Sequence, residues 1–390
     1  MRELVALLLP GGPGFVEALH RAWDRGDAVL PLDPTAPREH TQGLIYALRP
    51  TAVETEAGRE RLEGGEPVED GDAVVVATSG TTGEPKGAIH THRGIEHAAF
   101  ATTLGSRVEP GSRWLACLPL SHVGGLSVLT RALLTDTELE VHPRFDPDAV
   151  EAAQRAGATH VSLVPTALSR IDPSGWRTIL LGGSAIPAER PSNTIATYGM
   201  TETFGGVVYE GQALGGTFVR ITDDAGRELR PGEVGTVELR SPALLRAYRD
   251  GTDPVGPDGW YRTGDVGFVD PVEHRLQVQG RADDLIITGG EKVWPVQVER
   301  VIEDARGVQE VAVAGVDDPE WGQRVVAFVV PDAAAEPPTL TQLRDLVRAA
   351  LPVAAAPKEL RLVDSLPRTG LGKNRRSSLP LGDTAHGRSN

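Results

Sequence analysis

The densest chemistry in the chain lies at Thr78–Gly87, TSGTTGEPKG. Hydroxyls at Thr78, Ser79, Thr81 and Thr82 are interleaved with Gly80 and Gly83, and Lys86 follows. Glycines let backbone N–H groups approach a polyphosphate, hydroxyls add donors, and the lysine adds a mobile cation. The spacing departs from the GxxxxGK[ST] phosphate loop, because Gly87 follows Lys86 and leaves no hydroxyl there for magnesium. Gly182, Gly183 and Ser184 close an apolar run, TILL, where the backbone can pass close to a flat ring. Near the end of the chain, Lys373 stands between Gly372 and Asn374. Its neighbours Arg368, Arg375 and Arg376 read as a solvated basic tail. His122 and Arg131 punctuate the apolar segment Cys117–Leu134, CLPLSHVGGLSVLTRALL. A core histidine and a snorkelling surface arginine would explain that pair as readily as a ligand site.

These residues need elements to hold them. Asp72–Ala77 reads as a buried strand that empties into the glycine- and threonine-rich turn. Short apolar runs at Trp114–Pro119, Thr159–Val164 and Thr178–Leu181 alternate with helical patterns at Gly94–Thr103, Gly125–Leu134 and Asp148–Ala156. That alternation predicts a mostly parallel sheet with flanking helices. The first 70 residues read as short helices and loops, with a helix over Phe15–Trp23. From about residue 210 to 279, closely spaced strands and turns predict a small antiparallel barrel or sheet. A second α+β domain is expected over 280–390, with a helix at Pro295–Ala305, strands at Val308–Val316 and Arg324–Val330, a helical face from Leu340 to Leu351 and a loose end. The length, 390 residues, suits the resulting division into 1–279 and 280–390. The net charge of −15 argues against nucleic acid or an anionic membrane as main partner. One cysteine, Cys117, excludes an internal disulfide and a cysteine metal cluster. No apolar run spans a bilayer, and the cytoplasm is the expected compartment.

The loop is similar to the phosphate motif of the adenylate-forming enzymes, which include acyl-CoA synthetases, luciferases and the adenylation domains of peptide synthetases. Four further segments agree in order: TYGMTET (Thr197–Thr203), GWYRTGDVG (Gly259–Gly267), GRADDLIITGGEKVWPVQVE (Gly280–Glu299) and RTGLGKNRR (Arg368–Arg376). The resemblance implies ATP, Mg2+ and coenzyme A, with a carboxylic acid activated as its adenylate and passed to a thiol. It implies that Glu202 holds Mg2+, Thr201 donates to the α-phosphate, and Tyr198, Gly199, Gly183, Ser184 and Ala185 flank adenine. Asp265 and Arg281 would take the ribose, and Asp283 would be the hinge of a mobile C-terminal domain. Gly289 and Gly290 would line the thiol side, and Lys373 would bridge the attacking carboxylate and the α-phosphate.

The chain is shorter than typical members ahead of Thr78, so a trimmed first subdomain is expected. Short members include bacterial o-succinylbenzoate–CoA ligases of menaquinone biosynthesis, and the strings around His122, LGGSAIP and YGMTETFGGVVYEG look like that subgroup. A diacid with a benzene ring asks for a cation and open space. His122, Arg131, Gly205, Gly206 and Val207 are the candidates for the acyl pocket. Within the same class, a general aryl- or medium-chain acyl-CoA ligase is the alternative; outside it, a silent nucleotide-binding regulator. A homo-oligomer is compatible with all three.

Overall fold

The computed structural model describes residues 2–79, 85–187, 189–367 and 376–381. The chain divides into two compact units. One comprises Met1–Arg220, Glu238–Thr263 and Asp270–Leu276; the other comprises Ile221–Val237, Gly264–Val269 and Gln277–Asn390. The region expected as a small barrel or sheet is a four-stranded sheet, in the order Phe218–Thr222, Gly235–Arg240, Tyr261–Val269 and Leu276–Arg281.

The first unit contains two seven-stranded sheets. The first runs Ala247–Tyr248, Pro85–Thr91, Asp72–Ser79, Ala28–Pro31, Leu4–Leu7, Ala52–Thr55 and Gly58–Arg61. Its central strands are parallel, while Pro85–Thr91 turns back antiparallel on Asp72–Ser79. The opening 70 residues thus hold four strands where short helices and loops were expected. Leu4–Leu7 is buried on both faces, so its side chains show no alternation to mark a strand. The second sheet is parallel from Thr194–Met200 through Thr178–Leu181, His160–Leu163 and Arg113–Ala116 to Glu138–Val141. The strands Gly205–Tyr209 and Gln212–Ala213 continue it antiparallel. The helices His92–Gly105 and Pro147–Arg155 start where Thr91 and Asp146 accept N–H bonds from Gly94 and Ala149.

In the second unit, the long antiparallel pair Val308–Asp318 and Gly322–Pro331 separates two apolar layers by strand alternation. Val311, Val313, Val325, Ala327 and Val329 pack with Val298 and Ile302 of the helix Pro295–Glu303 and with Leu343 and Val347 of the helix Leu340–Ala350. Ala312, Ala314, Val326 and Phe328 face the other way, against Leu366 and Leu379. Leu379 is buried, so the chain end is not loose throughout. No helix among the described residues is long and apolar enough to cross a membrane.

One connection in the first unit joins residues far apart in sequence. Arg246 grips the Asp72 carboxylate through Nε and Nη2, both at 2.9 Å, and reaches Glu69 at 2.8 Å. Asp72 is 1% exposed. The Arg246 and Arg249 N–H groups donate to Ile89 and Gly87, and the Arg249 side chain caps carbonyls of Leu48, Pro67 and Glu66. Residues 246–249 are thereby stitched to the strand Pro85–Thr91. Removing one partner of a buried pair leaves an uncompensated charge. Asp72→Ala is expected to lower the unfolding free energy by about 3 kcal/mol in urea titration. An Asp72→Ala, Arg246→Ala double variant should lose less than the sum of the single losses, and full additivity would show the pair to be uncoupled.

Candidate active site

Asp72–Ser79 and Pro85–Thr91 remain paired up to the loop, with Thr78 opposite Lys86 and Ser79 opposite Pro85. Lys86 is therefore a strand residue and not part of a turn. The strand Pro85–Thr91, not a helix, follows the phosphate-loop motif, so no helix dipole directly succeeds it. Gly80, Thr81, Thr82, Gly83 and Lys373 lie outside the described residues, as does the Ser79 side chain. Lys86 Nζ stands 5.1 Å from the centre of the Tyr248 ring.

The same tyrosine reaches Glu202. Tyr248 Oη donates to Glu202 Oε1 at 2.8 Å. Burial, reinforced by the Glu202 carboxylate, pushes the phenol pKa up and keeps it a donor. Glu202 lies in a single 3₁₀ turn, Thr201–Thr203. Thr203 Oγ1 accepts from the Met200 N–H at 2.9 Å and donates toward the Gly205 carbonyl at 2.7 Å. Phe204 leaves the turn with φ 52°. A Cβ at Gly199 would sit 1.9 Å from the Gly205 carbonyl oxygen, so only glycine allows this close return of the chain. The Leu245 N–H donates to the Glu202 carbonyl at 2.7 Å, and the fully buried His90 meets the Phe204 ring edge-on at 5.0 Å. Sequence reasoning singled out Glu202, Thr201 and Lys86 but missed Tyr248, His90, Asp72 and Arg246. The only signal available for Tyr248 was a lone tyrosine in LLRAYRDG, without a spacing to identify it.

Tyr198 and Thr201 are half-buried, Tyr198 on the strand that ends at Met200 and Thr201 opening the turn. Gly183, Ser184 and Ala185 are exposed at the end of the neighbouring strand Thr178–Leu181, with Gly183 at φ 83°. In the second unit, Asp265 is 8% exposed and faces Arg281, with Nη1 to Oδ1 at 3.5 Å. Asp283 lies in the 3₁₀ turn Ala282–Asp284 that follows Arg281. Gly289 and Gly290 both have positive φ, in the tight turn between Ile286–Thr288 and Glu291–Val293.

The acyl-pocket candidates divide. His122 caps the helix Val123–Leu134 half-buried, and Gly205 faces Ser127 of that helix, where an added Cβ would lie 3.3 Å from the hydroxyl. Arg131 does not line an opening. It is 3% exposed, its Nε donates to Thr102 at 2.8 Å, and its guanidinium lies 4.6 Å from the Trp114 ring centre. Burial holds its pKa below the usual arginine value. The expected anchor for a second carboxylate is thus a core residue. Val207 is buried, and Gly206 is small because a Cβ there would press on Tyr209 at 2.8 Å. Of the glycine run proposed to admit a ring, Gly205 alone has its added Cβ directed at the helix that His122 caps. Cys117, on the same segment, is buried, and burial raises its thiol pKa to about 12.

Residues 49–249 match the model of the AMP-binding enzyme family, and residues 297–373 match that of the AMP-binding enzyme C-terminal domain. The chain belongs to the AMP-binding enzymes. It is 38% identical to a probable 2-succinylbenzoate–CoA ligase of Mycobacterium tuberculosis, over 96% of this chain and 94% of that protein. An indoleacetate–CoA ligase of Aromatoleum aromaticum is 33% identical over 78% of this chain and 66% of its own length. Among solved structures, o-succinylbenzoate CoA synthetase (MenE) from Bacillus subtilis, in complex with the acyl-adenylate intermediate, aligns with a TM-score of 0.87 at 26% identity, covering 99% of this chain and 89% of that one.

For an AMP-binding enzyme, the chemistry of Glu202 fits magnesium. Among the described residues no lysine or arginine forms an ion pair with its carboxylate, and one oxygen is oriented by Tyr248. No group of three His, Cys, Asp or Glu side chains able to hold a metal occurs among the described residues. One carboxylate supplemented by substrate phosphates and water is a common Mg2+ arrangement. His90, behind the Glu202 turn, has a pKa lowered by burial to about 4 against an ordinary 6.5. Protonation therefore favours the unfolded chain. The stability this neutral histidine permits is complete above pH 6.5 and falls as the pH drops toward 4, by up to about 3 kcal/mol. His90→Gln is expected to flatten the fall in melting temperature between pH 7 and 5 in scanning fluorimetry. An unchanged slope would place the acid sensitivity elsewhere.

Proposed function

We propose that this chain is a 2-succinylbenzoate–CoA ligase acting in menaquinone biosynthesis in the cytoplasm. The observation that carries the chemistry is the Glu202–Tyr248–Lys86 cluster: Tyr248 donates to the Glu202 carboxylate and lies beneath Lys86, which pairs opposite Thr78, and these are the groups that would meet magnesium and phosphate. The likeness to the Mycobacterium tuberculosis and Bacillus subtilis ligases supports the choice of acid. In the first half-reaction the acid's carboxylate oxygen attacks the α-phosphorus of ATP, the bond to the bridging oxygen breaks, and pyrophosphate leaves. In the second, the CoA sulfur attacks the acyl carbonyl, AMP departs with the bonding pair, and the thiol proton is released.

Two anions must meet in the first step, so positive charge and donors matter most there. Thr201 supplies a hydroxyl toward the α-phosphate, and Lys86 offsets charge on the departing pyrophosphate. Tyr248 orients one oxygen of Glu202, the carboxylate that would hold magnesium, and that ion would neutralise phosphate charge. Lys373 bridges the substrate carboxylate and the α-phosphate. Asp265 accepts from the ribose hydroxyls and is oriented by Arg281. His122 borders the acid. The indoleacetate–CoA ligase likeness favours an aryl monoacid as the second reading.

Purified protein supplied with ATP, Mg2+ and CoA should release pyrophosphate and AMP at least about tenfold faster, by kcat/KM, with 2-succinylbenzoate than with indoleacetate, benzoate or octanoate, a preference of about 1.4 kcal/mol. The reverse order would move the assignment to the aryl reading, and AMP release with none of the acids would remove it. Lys373→Ala should lower acid-dependent pyrophosphate release by about 100-fold or more while leaving thioester formation from preformed acyl-adenylate within about threefold. Equal loss in both would refute the bridging role.

A further inference from the structure

Arg376, expected as part of a solvated tail, is one of the most heavily engaged side chains in the second unit. Its Nη2 donates to both Glu299 oxygens, at 2.8 and 2.6 Å, its Nη1 donates to Asp284 Oδ2 at 2.9 Å, and its Nε donates to the Val313 carbonyl at 3.2 Å. Glu299 is 6% exposed and also accepts the Val313 N–H at 2.8 Å. One guanidinium thus ties the turn Ala282–Asp284, the helix Pro295–Glu303 and the edge strand Val308–Asp318 to the segment that starts at residue 376. A lysine cannot reproduce this, because three separate directions are used at once and an ammonium lacks the planar fork. Just beyond, Leu379 is buried in the apolar layer with Phe328, and Arg361 Nη1 donates to the Pro380 carbonyl, so the chain is held at two successive points.

The placement matters because of what lies on either side in sequence. Asp284 follows Asp283, the expected hinge residue, and Arg376 follows Lys373 by three residues. Three residues of chain span at most about 11 Å, so the Arg376 anchor is close along the chain to the expected adenylation lysine. We propose that Arg376 is a positioning residue for acid activation: by gripping Asp284 and Glu299 it sets the point from which Lys373 reaches the reacting groups, and it touches neither acid nor nucleotide itself. The proposal rests on the reading of Lys373 as the lysine of the adenylation step. It separates two demands, since thioester formation needs no such bridge, whereas a general stabilising contact would serve both steps alike.

The test compares Arg376→Ala, Arg376→Lys, Asp284→Asn and Lys373→Ala in the full-length protein. Acid-dependent pyrophosphate release and thioester formation from synthetic acyl-adenylate plus CoA are measured separately, each with its kcat and KM. Arg376→Ala and Arg376→Lys should lower kcat for pyrophosphate release by about 30- to 100-fold, with KM values for ATP and acid changed by no more than about twofold. Thioester formation should stay within about threefold of the parent. Asp284→Asn, which keeps the Glu299 grip, should cause a smaller loss confined to the same step, and it decides the matter if the Arg376 variants do not fold. Equal loss in both half-reactions, or no loss in either, would overturn the positioning role. Retained pyrophosphate release in Lys373→Ala would instead overturn the lysine reading and this proposal with it, whereas a loss there without one in the Arg376 or Asp284 variants would remove this proposal alone.

Discussion

The first unit depends on the ion pair between Asp72 and Arg246, which join across 174 residues of sequence. Asp72 opens the strand that leads to the phosphate loop, and Arg246 begins the short segment that carries Tyr248. Holding these ends together sets Tyr248 opposite Ala88 on the neighbouring strand. From there its hydroxyl meets Glu202, while Lys86 reaches its ring. The carboxylate that suits a metal and the strand that feeds the phosphate loop are therefore referenced to one another through a single side chain. A charge pair is an expensive way to join two strands, because Asp72 must be stripped of water. Its bidentate geometry gives something an apolar contact would not, a fixed register and rotation for the segment that follows.

Local chemistry made part of this organisation readable from sequence. The run DAVVVA, followed by hydroxyls and glycines, marked a buried strand and its turn, and TYGMTET marked the Glu202 turn. The strands in the opening residues were not legible, for two different reasons. Leu4–Leu7 is buried along its whole length, which removes the period of two, whereas Gly58–Arg61 is nearly all exposed and offers no apolar face to read. Arginine was misjudged in both directions. Arg131 was read as a surface or pocket residue, but it lies in the core against Trp114, and Arg376 was read as solvated but is held by carboxylates 92 and 77 residues upstream. A residue's type states what it can bind; its partners are a property of topology, which spacing along the chain does not carry.

The second unit extends the same logic to the segment anchored by Arg376. Its core is ordinary strand alternation, with valines on one face and alanines and Phe328 on the other, and the second layer also buries Leu379. Charge adds a second anchor at Arg376. Glu299 is buried in the helix Pro295–Glu303 and already satisfied in part by the Val313 N–H, so it presents a fixed acceptor for one guanidinium. Asp284 then fixes the orientation of that guanidinium.

A net charge of −15 makes this local arrangement necessary for an enzyme that handles polyphosphates. Repulsion from distant carboxylates is damped beyond a Debye length of about 8 Å at physiological ionic strength. What remains is decided by the few charges within that distance of the reacting phosphorus. Lys86 is placed by strand pairing and stands over the Tyr248 ring; after the Thr252 N–H bond, its charge helps lower the pKa of Asp250, and among the described residues it forms no ion pair. Arg246 and Arg376, by contrast, are consumed by internal carboxylates and contribute geometry instead of field. The cations thus divide by their partners: Lys86 lies over an aromatic ring and acts on Asp250 without pairing with it, while Arg246 and Arg376 are each committed to two carboxylates and serve the frame.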